Sequence, residues 1–473
     1  MPVKIALPKD SLLTETAAIL ERAGWGLSDY REGARSYRLK SRGFPELSAK
    51  VFKEKDIPIQ VAVGNYDLGI CGLDWVEELL SKYPGSALVK VRDLGYGEGA
   101  LYVAAAGSDG VANIEELATK WDIIRIASEY PNLAESFAAH ARLRRFSIYP
   151  LWGAAEVYPP ESADLALLPM KTGRGILNHG LVPISKVLDF GTYLIANRYS
   201  LKAKDMAEIL SSITDNLSPV ENNPVSLGAM KRPEVTGLPF VREVPDDVVR
   251  LALPDGHQQA HVCRILDQAG IQVDDYPSAA GTRRPISSLD GVLIKVIRPQ
   301  DMPLQVANGN FDLAITGWDW LSEHQYQFPS SPVADLLDLK YGRVRIVAVV
   351  SQDVSANDIN GLRRLSNESQ VPYRVASEYI NIADKYARSN HLGMYRVIPT
   401  WGASEAFLPE DADLLIENTE TGRTIARHNL KIIDTLFTST ACLIGSTMRV
   451  NNSVKSERIK SLLKTFRGAV EAI

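Results

Sequence analysis

The stretch Asp413–Ile425, DLLIENTETGRTI, combines residue types suited to holding a sugar phosphate. An apolar run ends in carboxylates, and a Thr-Glu-Thr-Gly-x-Thr turn then leads into a helical pattern. Gly422 lets the backbone approach an anion, and loop N–H groups at a helix start point donors toward it. The hydroxyls of Thr421 and Thr424 add donors, Arg423 sits inside the same turn, and Glu417 and Glu420 are spaced to hold two ribose hydroxyls. Taken by itself, a T-G-x-T segment reads equally as a threonine-capped helix start.

Other candidates carry two readings each. Asp67 and Asp74, with Asp312 and Asp319, sit in a repeated G-N-x-D-L block; they are turn and helix caps or the lining of a nucleotide-binding cleft. Trp152-Gly153-Ala154 and Trp401-Gly402-Ala403 offer a core tryptophan or a surface on which a base stacks. His257 and His261 lie four apart in a helical pattern, but no third ligand accompanies them, so a zinc site is not expected. Gly95-Tyr96-Gly97-Glu98-Gly99 follows no suitable first strand and is not a dinucleotide loop. The chain has no P-loop, no G-x-S-x-G and no Cys/His nucleophile pair.

The elements that must position these residues come in two copies. GNYDLGICGLDW begins at Gly64 and GNFDLAITGWDW at Gly309, an offset of 245 (309 − 64). ASEYPN at Ala127 returns as ASEYIN at Ala376, and KTGRGI at Lys171 as ETGRTI at Glu420, both offset by 249 (376 − 127 and 420 − 171). A period this long exceeds the ~20–50 residues of solenoid repeats and indicates a duplicated domain. Copy one spans 1–216, a proline-punctuated linker 217–247, and copy two 248–473. In both, short apolar runs alternate with helical patterns; in copy one the strand-like runs include VAVG, DLGI, LYVAAA, IIRIAS and DLALL. That alternation predicts an α/β fold with a largely parallel sheet. Closing helices are expected over 205–217 and 455–472.

Composition narrows the function. The 473 residues are 45% hydrophobic and 23% charged, as in soluble globular domains, with a net charge of −5 that gives no basic field for nucleic acid. No run approaches the ~18 apolar residues of a membrane helix, and the N-terminus opens on a strand-like VKIALP rather than a signal pattern. Cys71, Cys263 and Cys442 form no disulfide framework, which fits a reduced, cytoplasmic compartment.

Several further motifs occur in a fixed order in copy one: ALPK at Ala6–Lys9, K-x-K-D-I-P at Lys53–Pro58, L-G-Y-G at Leu94–Gly97 and Y-P-N-L at Tyr130–Leu133. With the G-x-x-D-L block and the strand–TG loop, each copy resembles the catalytic domain of short-form ATP phosphoribosyltransferases. The resemblance implies a bilobal unit like type II periplasmic binding proteins, with the site in its cleft. It also implies transfer of ribose phosphate from PRPP to N1 of ATP, the first step of histidine biosynthesis. Mg²⁺ would arrive on PRPP, with no resident metal. The resemblance further implies dimeric organisation, here an internal pseudo-dimer, and leaves room for a regulatory subunit.

Carried over position by position, the copies differ. Copy two keeps Glu417, Glu420, Thr421, Gly422 and Thr424 where copy one has Leu168, Lys171, Thr172, Gly173 and Gly175. Copy two also has Arg345 where copy one has Ala100. Conversely, Lys9 belongs to copy one, with Asp255 at that place in copy two, and Lys53 and Lys55 stand against Arg298 and Gln300. The arginine that usually follows is replaced by Ser11 and His257. Catalysis of this transfer is mostly charge placement. The expectation is therefore one productive cleft built on copy two's loop, with Arg345 as a retained catalytic candidate and Lys9, Lys53, Lys55 and Arg298 neutralising pyrophosphate, copy one's lysines being lent across a pseudo-dimer interface. Ordinary drift after duplication, with no help between copies, is the alternative. Where the family reads A-T-K-Y-P-N, both copies have Ser-Glu, at Ser128-Glu129 and Ser377-Glu378. Glu378 beside a triphosphate opens the alternative of another nitrogenous acceptor, and a non-catalytic small-molecule binder is the alternative of different class.

Overall fold

The computed structural model describes residues 2–34, 36–170, 180–217, 244–277 and 283–472. Copy one's donor-loop positions Lys171, Thr172, Gly173 and Gly175 lie outside them, as does most of the linker. Two compact units emerge. Described residues of the first fall within Met1–Leu151, Tyr158–Val241 and Trp401–Ala406; those of the second within Trp152–Val157, Arg242–Thr400 and Phe407–Ile473. Two segments of six residues each, Trp152–Val157 and Trp401–Ala406, group with the unit that holds the rest of the other copy.

In the first unit, one lobe is a sheet ordered Arg38–Lys40, Leu47–Phe52, Val3–Pro8, Leu68–Gly72, Thr192–Asn197, Leu88–Asp93. Its three middle strands, Leu47–Phe52, Val3–Pro8 and Leu68–Gly72, run parallel, whereas Thr192–Asn197 is antiparallel to both neighbours. These strands are nearly continuous aliphatic runs because helices cover both faces of a parallel sheet. Helix Leu13–Arg22 turns Leu13, Thr16, Ile19 and Leu20 to that core, the spacing of an amphipathic helix. Its second lobe is ordered Leu181–Phe190, Gly99–Ala106, Leu165–Met170, Ile124–Ser128, Phe146–Pro150, over a separate core.

The second unit repeats this plan. Its lobes are ordered Val292–Ile297, Val249–Pro254, Leu313–Gly317, Ala441–Ser446, Val333–Asp338, and Tyr395–Pro399, Tyr373–Ser377, Leu414–Thr419, Val344–Ser351, Leu430–Ser439. In each unit the chain crosses between lobes twice, and the crossings hydrogen-bond to one another. Leu94 N donates to Thr192 O at 2.9 Å and Thr192 N to Tyr96 O at 2.9 Å; Leu339 N and Ala441 O, then Ala441 N and Tyr341 O, do the same. The α/β, bilobal expectation holds in both units, but the sheets are mixed rather than largely parallel, because each lobe adds antiparallel strands such as Thr192–Asn197 and Leu181–Phe190 to a parallel centre.

Local expectations fare unevenly. VAVG is not a strand: Val61 and Ala62 end helix Asp56–Ala62, and Gly64 at φ +81° stops it. Its apolar side chains Ile57 and Val61 are one turn apart, a helical repeat that a four-residue window cannot distinguish from a strand. The closing helices run Ala207–Thr214 and Ser453–Glu471. His257 lies in a 3₁₀ turn, Gly256–Gln258, ahead of the helix Gln259–Gln268 that carries His261, whose ring stacks on Tyr341. The two histidines therefore share no helix, and among the described residues no cluster of metal-ligating side chains forms.

Candidate active site

The donor loop hangs from strand Leu414–Thr419. Arg345 stands opposite Thr419, and Val347 opposite Glu417, in the antiparallel ladder with Val344–Ser351. Arg345, Glu417 and Thr419 thus project from one face of the sheet. Thr419 Oγ1 accepts from Gly422 N at 2.9 Å, closing the turn, and Gly422 takes φ +75° as the residue before helix Arg423–Arg427. A left-handed backbone of this kind favours glycine. A Cβ there would lie 4.0 Å from Arg345 Nη2, so the guanidinium lies beside the turn. Glu420, Thr421, Arg423 and Thr424 are exposed, and Glu417 is half-buried. The predicted donor residues and Arg345 therefore gather at one strand end.

Copy one's counterpart strand, Leu165–Met170, presents Leu168 where Glu417 stands and Met170 where Thr419 stands, both buried, opposite a buried Ala100. At its edge Phe190 pairs with Gly99, and a Cβ on Gly99 would come within 2.6 Å of the Phe190 ring. Copy two has Ser439 paired with Val344. One copy keeps a polar face there; the other has an apolar plug.

Behind the loop strand lies a hydrogen-bonded chain of which sequence reasoning singled out only Asp319, as a cap or a cleft residue. Asn418 Nδ2 donates to Tyr379 Oη at 2.9 Å, and Tyr379 Oη donates to Asp319 Oδ2 at 2.6 Å. Ser439 Oγ donates to Asp319 Oδ1 at 2.7 Å and accepts from Asp319 N at 2.9 Å. Burial raises the Asp319 carboxyl above its usual range, against these donors. Burial, then the Asp319 charge, pushes the Tyr379 phenol well up. One turn on, Glu323 accepts from the backbone of Asn381 and Ile382, capping helix Ile380–Ser389. In the first unit Tyr130 likewise donates to Asp74 at 2.7 Å, but Pro169 and Phe190 stand where Asn418 and Ser439 would be. The signal was in the sequence: polar residues in one copy against Pro and Phe in the other.

Asp67 and Asp312, read as cleft residues, face elsewhere. Asp67 accepts from Lys4 N and pairs with Lys204 at 2.7 Å; Asp312 accepts from Arg250 N and pairs with Lys455 at 2.9 Å. Each staples the first strand to a C-terminal element of its unit. Arg298 and Arg283 both hold Asp255, at 3.1 and 2.7 Å. Lys9, Lys53 and Lys55 belong to the first unit: Lys9 lies over the Tyr37 ring, Lys53 pairs with Asp10, and Lys55 pairs with Glu129 at 2.9 Å while lying over Trp75. Lys9 also lines a cavity of about 320 Å³ with Asp10, Tyr30 and Tyr37. Glu378 and Trp401 are half-buried, Trp401 in the segment that belongs to the first unit. Ser377 Oγ donates to Ile416 O and accepts from Tyr379 N, so the serine of the Ser-Glu pair knots the strand end.

A family model described as ATP phosphoribosyltransferase (HisG) matches residues 53–218 and 298–468, more than half of the chain. The ATP phosphoribosyltransferase of Saccharolobus solfataricus is 32% identical over 235 residues, covering 47% of this chain and 73% of that protein. That of Chlorobaculum parvum is 29% identical over 229 residues, covering 48% and 73%. Among solved structures, the ATP phosphoribosyl transferase (HisG:HisZ) complex from Thermotoga maritima is similar at 22% identity and a TM-score of 0.39, covering 48% of this chain and 100% of that one.

Proposed function

This chain belongs to the ATP phosphoribosyltransferase family, and from that premise we propose that its second copy transfers the phosphoribosyl group of PRPP to N1 of ATP, releasing pyrophosphate, as the first step of histidine biosynthesis. The observation that carries the assignment to copy two is its retained polar strand end, Glu417, Thr419, Glu420, Thr421, Gly422, Thr424 and Arg345, against an apolar counterpart in copy one.

The chemistry follows from charge. As the C1–pyrophosphate bond breaks, positive charge develops on the ribose ring and negative charge on the leaving group. Glu417 and Glu420 hold the ribose hydroxyls and keep negative potential near the ring. The backbone N–H groups after Gly422, with Thr421 and Thr424, take the 5-phosphate. Arg345, at the root of the same loop, supplies fixed positive charge. Mg²⁺ enters with PRPP as part of the substrate. Asp67 and Asp312 are left out of the site because their carboxylates already have structural partners.

A second reading concerns the acceptor alone. Glu378 occupies a place where the family carries lysine, which favours a nitrogenous acceptor with less negative charge than ATP. Both readings are tested by pyrophosphate release from Mg–PRPP with ATP and with a panel of bases. Glu417→Gln or Thr421→Ala should lower kcat/KM by roughly 10²–10³, while Thr172→Ala leaves most activity. The reverse pattern overturns the assignment. Release only with another base establishes the second reading.

A further inference from the structure

The chain from Asn418 through Tyr379 and Asp319 to Ser439 joins three places that the transfer must hold in register. Asn418 lies in the strand leading into the donor loop. Ser439 is the last residue of strand Leu430–Ser439, directly before the crossing at Thr440. Asp319 opens helix Trp318–Gln327 on the first lobe's side of that crossing. Three links of 2.6–2.9 Å connect them, and Asp319, 5% exposed, is the hub. A buried carboxylate held by several donors is costly to rearrange, because each lost partner leaves charge unsatisfied.

The first unit serves as an internal comparison. It keeps the Tyr130–Asp74 bond and the Glu78 cap on Asn132 and Leu133, so these features belong to the fold. What it lacks are the two arms that reach the loop strand and the crossing, and it lacks the polar strand end as well. The arms are present in the copy with the donor residues and absent in the other.

We propose that Asn418, Tyr379 and Ser439 are positioning residues which, through Asp319, fix the donor-loop strand against the interlobe crossing so that bound PRPP is held in attack geometry. The proposal rests on copy two carrying the transfer. None of the three residues is assigned contact with the reacting atoms; they act through Glu417 and the loop beyond it. Displacing a reacting group by about 1 Å costs on the order of 10²-fold in rate.

The test measures kcat and KM for PRPP and for ATP in the full chain carrying Tyr379→Phe, Asn418→Ala, Ser439→Ala or Ser439→Thr, with thermal melts alongside. Tyr379→Phe and Asn418→Ala should lower kcat/KM for PRPP by roughly 10–100-fold, with the KM for ATP unchanged. Ser439→Thr, which keeps the donor to Asp319, should recover most of what Ser439→Ala loses. Tyr130→Phe should lower the melting temperature without changing kcat/KM. Asn418 is exposed, so its variant remains informative if Tyr379→Phe does not fold. Losses that follow the melting temperature alone, or a Tyr130→Phe variant as impaired as Tyr379→Phe, overturn the proposal. Thr421→Ala, run in parallel, separates the two levels. If it abolishes transfer while these variants stay active, only the positioning role falls; if it leaves transfer intact, the copy-two assignment falls and the positioning role with it.

Discussion

Glu78 and Glu323 occupy equivalent places, capping the starts of helices Pro131–His140 and Ile380–Ser389 with carboxylates shielded from water. Burial raises both above the usual carboxylate range, against the backbone donors that pull the other way. A raised folded-state value means the native protein prefers the protonated form. Their contribution to stability is then fully present below the unfolded-state carboxylate value and is lost as pH rises through the raised one. Glu78→Gln stays neutral throughout, so its stability relative to the parent should improve from pH 4 to pH 7, measured as urea midpoints at both. A relative loss over that interval contradicts this account. At this scale the sequence was legible where chemistry is local: Glu417, Thr421 and Gly422 stand together as their spacing implied. It was not legible for Asp67 and Asp312, whose motif gave no sign of Lys204 and Lys455, residues more than a hundred positions away.

Elements were easier to read than their ends. The strand-and-helix alternation and the two lobes follow from hydrophobic runs, and internal repetition checks each assignment twice. VAVG failed because four residues sample barely one helical turn. Within the donor turn, Gly422 carries the conformational demand: at φ +75° an alanine pays roughly 1–2 kcal/mol in strain. Nothing nearer than Ile432 Cδ1 at 3.7 Å opposes its methyl, so the cost is conformational rather than steric. Gly422→Ala should therefore leave the fold standing, shift the thermal midpoint by only a few degrees, and weaken PRPP binding in a titration. Unchanged PRPP affinity would show that the turn tolerates other backbones.

The exchanged segments are the feature that the repeats could not foretell, since they leave every strand pattern intact. Within the second unit, Val157 O accepts from Lys295 Nζ at 3.0 Å and from Arg284, and Trp152 N donates to Asp301. Trp152 packs edge-on against Trp320, and Gly153 lets the backbone lie against Arg298, where a Cβ would fall 2.9 Å from Nε. Lys295 is 2% exposed, so removing Val157 O takes a hydrogen-bond acceptor from a buried ammonium. A fragment spanning residues 244–473 lacks Trp152–Val157. It should melt well below the full chain or fail to fold, and in the full chain Trp152→Ala should cost about 2 kcal/mol in thermal unfolding. A fragment as stable as the whole would contradict the unit boundaries.

That borrowed stretch bears on descent as well as on folding. A first copy whose donor positions have decayed would ordinarily be disposable, and gene deletion would in time remove it. Here the six residues Trp152–Val157 complete the second unit with a stretch of the first copy's sequence. A deletion in the front half of the chain that removes Trp152–Val157 should therefore destabilise the second unit as well. The duplication has become a ratchet: easy to enter, and closed to return.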